Sequence, residues 1–261
     1  MLIFHTLQTR LLPLFLFKTQ LQPMNPVWII AKKELSTFFD SLIAYVLLVI
    51  FLGFTGFFTW IYGGSDIFFM NQASLQAFFA IAQWTLFFFI PALTMRLIAE
   101  EKRSGTIELL LTKRITNRSV VVGKFLGCFL LIAIALAFTL PYYVSVSRLG
   151  NIDHGATICG YLGLLLMSAA YISIGIFASS ITSNQIIAFL LALVIGICFH
   201  LLFGIVASGM TGWMGELFNT LSLYSHFESM SRGVVDSKDV IYFLSITGLG
   251  LYLAELQLTK R

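Results

Sequence analysis

Six apolar runs constrain this chain more than any other feature, because each is close to the about 20 residues that carry a helix across a ~30 Å hydrocarbon core. They fall at Ser41–Tyr62, Leu75–Met95, Phe125–Ser145, Ile158–Ala178, Ile186–Val206 and Val240–Leu258. Backbone crossing lipid must satisfy its own hydrogen bonds, so single runs of this length predict helices. Composition agrees: 58% of the 261 residues are hydrophobic and only 11% carry charge, where soluble domains have about one quarter charged. The expected fold is an all-α integral membrane protein with six transmembrane helices. The net charge of +4 does not point to nucleic acid, since the basic residues are spread over loops facing a membrane.

Those basic residues set the orientation. With the N-terminus inside, one face collects Arg10, Lys18, Lys32, Lys33, Lys260, Arg261 and seven residues between Arg96 and Lys124. That is thirteen of the 16 lysines and arginines. Only Arg148, Arg232 and Lys238 fall on the other face. The positive-inside rule therefore predicts a multi-pass protein with both termini cytoplasmic.

Outside the spans, four segments need separate readings. Residues 1–23 hold a seven-residue apolar run, Leu11–Phe17, interrupted by Pro13. It is too short to span and lacks a signal-peptide cleavage pattern. We therefore expect an N-terminal extension there, with the organised domain at 24–261. From Val27 to Asp40, Val27, Ile30, Ala31, Leu35 and Phe38 share a helical face opposite Lys32, Lys33 and Ser36. This predicts an amphipathic interfacial helix, or else a plain juxtamembrane flank. Between spans five and six, Trp213, Met214, Leu217, Phe218 and Leu221 form a helical stripe. Such a stripe either dips into the outer leaflet or packs on the ends of the spans. Pro91 and Pro141 mark expected kinks late in spans two and three.

Several chemistries find no residues here. There is no GxxxxGK[ST] phosphate loop, and Val122-Gly123-Lys124-Phe125 is the nearest approach. HExxH and GxSxG are missing too. Cys128, Cys159 and Cys198 lie in spans without metal-type spacing and read as free packing thiols. Of His5, His154, His200 and His226, only His200 lies in a span, where we expect a hydrogen-bonded packing role. The spans as drawn carry no Asp, Glu, Lys or Arg except Glu255 near the end of the sixth. A chain without buried titratable groups has no means of harvesting an ion gradient. Energy for uphill movement must then come from another subunit.

The segment Arg96–Lys124 is the natural input for that energy. Arg96–Arg103 is expected to extend span two as a charged helix, which Gly105 breaks. Thr106–Leu111 forms a short helix with Ile107, Leu110 and Leu111 on one face, and Asn117 caps the helix leading into span three. A short helix with an apolar side among charges suits docking into a partner's groove. A solvated loop that merely fixes topology fits the same composition.

The stretch EEKRSGTIELLLTKRITNRSVVVGKF resembles the segment after the second span of ABC-2 type transporter permeases. There the pattern is E-x-(K/R)-x-x-(G/R)-T-hydrophobic-E-hydrophobic-L, followed by a lysine at the entry to span three. Glu100, Lys102, Gly105, Thr106, Glu108, Leu109 and Lys124 match it. The likeness covers 24–261, and residues 1–23 match nothing expected of the family. The resemblance implies a non-catalytic permease in the inner membrane that acts as a dimer of two copies or of related permeases. It implies a coupling helix between spans two and three, with Glu100, Lys102, Gly105, Thr106, Glu108 and Leu109 coupling to a separate ATP-binding subunit. ATP and Mg would be held by that partner, with no cofactor in this chain. Phe227–Asp236, ahead of Val240–Leu244, is similar to the permease associated with gliding motility in Bacteroidetes. A membrane anchor that recruits a cytosolic ATPase without passing cargo is the competing reading. The cargo itself leaves no signature in the sequence.

Overall fold

The computed structural model describes residues 25–61, 73–106 and 116–260. Among these the chain is helical throughout, without strands. Helix α1 (Pro26–Asp40) is followed by α2 (Leu42–Trp60), α3 (Gln76–Thr94), the short α4 (Ala99–Arg103), α5 (Asn117–Ala137) and α6 (Leu140–Leu149). Then come α7 (His154–Ile181), α8 (Gln185–Ile197), a π-helical turn (Cys198–Leu202) and α9 (Phe203–Gly209). Helices α10 (Trp213–Leu221), α11 (Leu223–Ser231) and α12 (Ser237–Thr259) complete the order. Six of these units are long and apolar enough to cross a membrane: α2, Gln76–Arg103, Asn117–Leu149, α7, Gln185–Gly209 and α12.

All six expected spans are present, and their ends show why local signals placed them. Asp153 accepts the Ala156 amide at 2.9 Å to start α7, and Asn184 accepts that of Ile186 at 2.9 Å to start α8. The cap of α5 is Thr116, not Asn117: Thr116 is extended and its hydroxyl accepts the Ser119 amide, while Asn117 is already the first helical residue. The Asn117 side chain instead donates to Thr259 Oγ1 at 3.1 Å. The break between α5 and α6 falls just before Pro141, as expected of a residue that cannot donate to the helix ladder. Pro91 is carried inside α3, and the helix ends one turn later at Thr94.

Helix α7 is the central column. In its most apolar stretch 78% of residues are buried within the chain, against 28% for α2, 22% for the fifth span and 28% for α12. It packs on α3, α5, α8, α11 and α12. Small residues let the backbones approach, as close helix packing in lipid requires. A Cβ at Gly175 would lie 2.0 Å from Thr94 Oγ1 and 2.7 Å from Thr94 Cβ. Hydroxyls within the spans bond back to their own helix, as Thr55 does to the Phe51 carbonyl at 2.7 Å and Thr94 to that of Ile90 at 2.8 Å.

The expected packing histidine is found in the fifth span. His200 is buried in the π-helical turn, with Nδ1 2.7 Å from the Tyr171 hydroxyl and its ring stacked on Phe87 at 5.2 Å. The three cysteines are free. Helix α10 covers the predicted apolar stripe, with Trp213, Met214 and Leu217 exposed on the surface of the chain.

Gly175→Ala is expected to destabilise the chain by about 1–3 kcal/mol, the usual cost of forcing atoms into a packed contact. Gly53→Ala, whose added methyl meets nothing within 4 Å, is expected to be neutral. Thermal unfolding midpoints of the two purified variants in the same detergent check both statements.

Candidate functional site

At the end of the bundle that carries the basic segment, three parts of the chain converge on Lys124. Helix α1 lies close along α5 because Gly123 and Gly127 offer no side chain. A Cβ at Gly123 would meet Ile30 Cβ at 2.7 Å, and one at Gly127 would meet Glu34 Cβ at 2.7 Å. Ile30, Ala31 and Phe38 form the buried face of α1, which matches the predicted apolar side, while Trp28 and Ile29 remain exposed. This contact brings Glu34 to the Lys124 amine, at 2.9 Å.

The second carboxylate comes from α4. After Thr94 the chain turns for four residues before α4 begins, and Ser179 near the end of α7 holds that turn. Its hydroxyl accepts the amides of Ile98 and Ala99, at 3.1 and 3.0 Å, and donates to the Met95 carbonyl at 3.0 Å. One side chain thus satisfies three backbone groups freed by the break. So placed, α4 directs Glu101 onto Lys124 at 2.7 Å. Lys102, one residue on, is buried and donates to the Ser180 carbonyl at the end of α7.

The Lys124 side chain is 2% exposed, against 12% for Glu34 and 16% for Glu101. A lysine this deep is sustained only by paired charge. Two carboxylates share one ammonium, and Glu101 Oε2 is buried without a partner among the described residues. Beside the triad lies a cleft of about 540 Å³ between α1 and the span-two extension, lined by Lys33, Thr37, Arg96, Glu100 and Thr106 among others. The Arg96 guanidinium sits over the Phe38 ring, 5.3 Å from its centre.

The sequence-derived coupling residues separate in this geometry. Glu100 is exposed on α4 beside the cleft. Lys102 faces into the bundle. Gly105 is exposed with φ +71°, the left-handed region that ends a helix cheaply only at glycine. Thr106 is exposed, its hydroxyl 2.9 Å from that of Ser104. Glu108 and Leu109 lie outside the described residues, as does all but the first residue of the predicted short helix Thr106–Leu111. Glu34 and Glu101 were missed by sequence reasoning as partners of Lys124. The signal for Glu34 was its helical phase, an acid on the apolar face of α1, four residues after Ile30 and four before Phe38; for Glu101 it was only a place just after span two.

The expectation of spans nearly free of charge needs correcting. The helix of the third span starts at Asn117, eight residues before the expected boundary, so Lys124 belongs to it and is buried. The sixth starts at Ser237, which places Asp239 within its first turn, also buried. Both charges escaped hydropathy because each lies at a span end and finds its partners from another helix.

The fold is that of a multi-pass helical membrane protein, and its unusual feature is a buried charge cluster tying a pre-span helix to spans two and three. The chain matches the family described as ABC-2 family transporter protein over residues 28–239 and belongs to that family. No curated protein matches it. It is thus a transmembrane permease subunit of an ABC transporter, a membrane component that is generally non-catalytic and that works with an ABC ATP-binding partner.

Lys124→Met is expected to cost about 3 kcal/mol or more, because two partly buried carboxylates lose their common counter-ion. Glu34→Gln is expected to cost less, since Glu101 still neutralises the amine. Unfolding midpoints of the purified variants test the order, and equal losses would contradict a triad centred on Lys124.

Proposed function

We propose that this chain is the membrane-spanning half of an ATP-driven exporter, working as a dimer with a second copy or a related permease. A separate ATP-binding subunit, which holds ATP and Mg, supplies the energy. The observation that carries this reading is the family match across 28–239. The thirteen-to-three division of basic residues supports placing the Arg96–Lys124 end, and both termini, on the cytoplasmic side of the inner membrane.

In this reading the partner pushes on Glu100–Leu111 when its ATP sites close. The first four residues of that segment, Glu100–Arg103, belong to α4. Lys102 holds α4 to α7, and Glu101 holds it to α5 through Lys124 and so to α1. A displacement of α4 therefore moves the central column and the third span together, instead of being absorbed in a loose loop. ATP does work only to the extent that the two arrangements of the permease bind the partner with different free energies. The exposed Trp28 and Ile29 support an interfacial position for α1, and Trp213, Met214 and Leu217 support a leaflet-dipping α10. Within the family, the resemblance of Phe227–Asp236 is the ground for assigning the gliding-motility-associated type.

Gly105→Pro forces φ to about −65° where the chain needs +71°. It is expected to abolish co-purification with the ATP-binding subunit or ATP-coupled export, while membrane insertion persists. Glu108→Ala is expected to weaken the same two readouts. Survival of both under Gly105→Pro would remove the coupling assignment. An ATPase that co-purifies but stays indifferent to every cargo in reconstituted membranes would favour an anchor. Orientation has its own check in a cysteine-free background. An impermeant thiol reagent added to intact cells with a permeabilised outer membrane is expected to label Asn151→Cys and spare Ser104→Cys.

A further inference from the structure

At the end of the bundle opposite Lys124, a second buried polar pair joins α11 to the head of α12. His226 Nδ1 lies 2.6 Å from Asp239 Oδ1, and His226 Nε2 lies 2.9 Å from the Thr220 carbonyl of α10. The side chains are 7% and 1% exposed. A carbonyl oxygen can only accept, so the hydrogen bond to Thr220 requires a hydrogen on Nε2. The contact to Asp239 then requires a second proton, carried by Nδ1 or by the carboxyl. Imidazolium facing carboxylate and imidazole facing carboxylic acid both satisfy it, and in either case the pair as a whole is neutral.

Losing that proton breaks the arrangement whichever tautomer remains. With the hydrogen on Nε2, the lone pair of Nδ1 faces a carboxylate at 2.6 Å. With the hydrogen on Nδ1, the lone pair of Nε2 faces a carbonyl at 2.9 Å. Asp239 Oδ2 is buried without a hydrogen-bond partner among the described residues, so beyond its place in the first turn of α12 the ionised carboxylate finds no further support there. We propose that His226 and Asp239 form a proton-dependent latch that fastens α10 and α11 to the start of α12. It is closed when the pair shares the proton and opens as pH rises.

Among the described residues the surroundings support closure and offer no rival charge. The Tyr242 ring stacks on the imidazole at 4.1 Å and 23°, and its hydroxyl donates to the Leu221 carbonyl at 2.5 Å, so α12 grips both α11 and the end of α10. On α11, Glu228 pairs with Arg232, and at the head of α12 Lys238 pairs with Asp236 at 3.2 Å. Backbone and side-chain hydrogen bonds from Lys238 hold the Asp236 carboxyl below its ordinary range. Glu216 of α10 is exposed. Helix α7 meets α11 through Gly163, against Phe227 and Met230, and the fifth span meets it through His200 against Tyr224. His154, at the same end of the bundle, is engaged by the Tyr143 hydroxyl at 2.8 Å.

The inference is independent of whether the chain exports, because its readout is the permease alone. Amide hydrogen exchange over 223–231 is measured on the full chain in detergent at pH 6 and pH 9, corrected for the chemical exchange rate. The native chain is expected to lose protection about tenfold at the higher pH, the effect of one lost hydrogen bond. Asp239→Asn is expected to be protected equally at both, because its amide donates to Nδ1 of a neutral His226 while Nε2 still donates to Thr220. His226→Gln is expected to be weakly protected at both, and His154→Gln to behave like the native chain. Equal protection of the native chain at the two pH values would overturn the latch. So would a pH-dependent loss that persists in Asp239→Asn or His226→Gln, or one that disappears in His154→Gln.

Discussion

An ammonium group buried among helices is tolerable only where charge of opposite sign reaches it, and the basic end of this permease is built around that requirement. Lys124 sits inside α5, and neither of its carboxylates comes from the same helix. Glu34 arrives because Gly123 and Gly127 let α1 lie directly on α5. Glu101 arrives because Ser179 holds the chain break that turns α4 back toward the bundle. Removing either geometric device would take one of the two carboxylates from the amine. The interaction therefore specifies how the pre-span helix, the span-two extension and the third span fit together, more than it adds stability.

The same logic, at lower cost, runs through the membrane-length part of the chain. Water is unavailable there, so polar groups bond to their own helix, and helices gain contact by bringing small residues together. The Gly175–Thr94 approach and the backbone-bonded hydroxyls of α2 and α3 belong to this pattern. A rigid central α7 results, contacted by spans two, three, five and six. It also supplies Ser179 and Ser180, which receive α4. The column and the energy-input region are thus one mechanical piece. At the opposite end, the His226–Asp239 pair performs a similar joining with a partner that can lose its proton.

Much of this was legible from residue order. Six long apolar runs could become little besides six helices, and the amphipathic pattern of Val27–Asp40 identified the face of α1 that is buried. The left-handed glycine at Gly105 and the Trp213–Leu221 helix were also readable, since turns and helical stripes are local properties. The Thr116 cap was misassigned to its neighbour because both residue types cap helices well and only backbone conformation separates them. Lys124 was counted as loop because a hydropathy boundary reads the charge and not its neighbours in space.

Taken alone, then, the sequence determined the helical class, the number of spans, the segregation of basic residues and the resemblance to a transporter family. These depend on composition and short-range periodicity, which a linear reading contains in full. Tertiary structure alone decided that Lys102 turns inward onto α7 and that Lys124 takes carboxylates from positions 34 and 101. It also decided that His226 meets Asp239. The physical reason is that a charged side chain at a helix end looks the same in sequence whether it meets water or a counter-ion. Only the approach of a second helix, set by the glycines and hydroxyls between them, settles which.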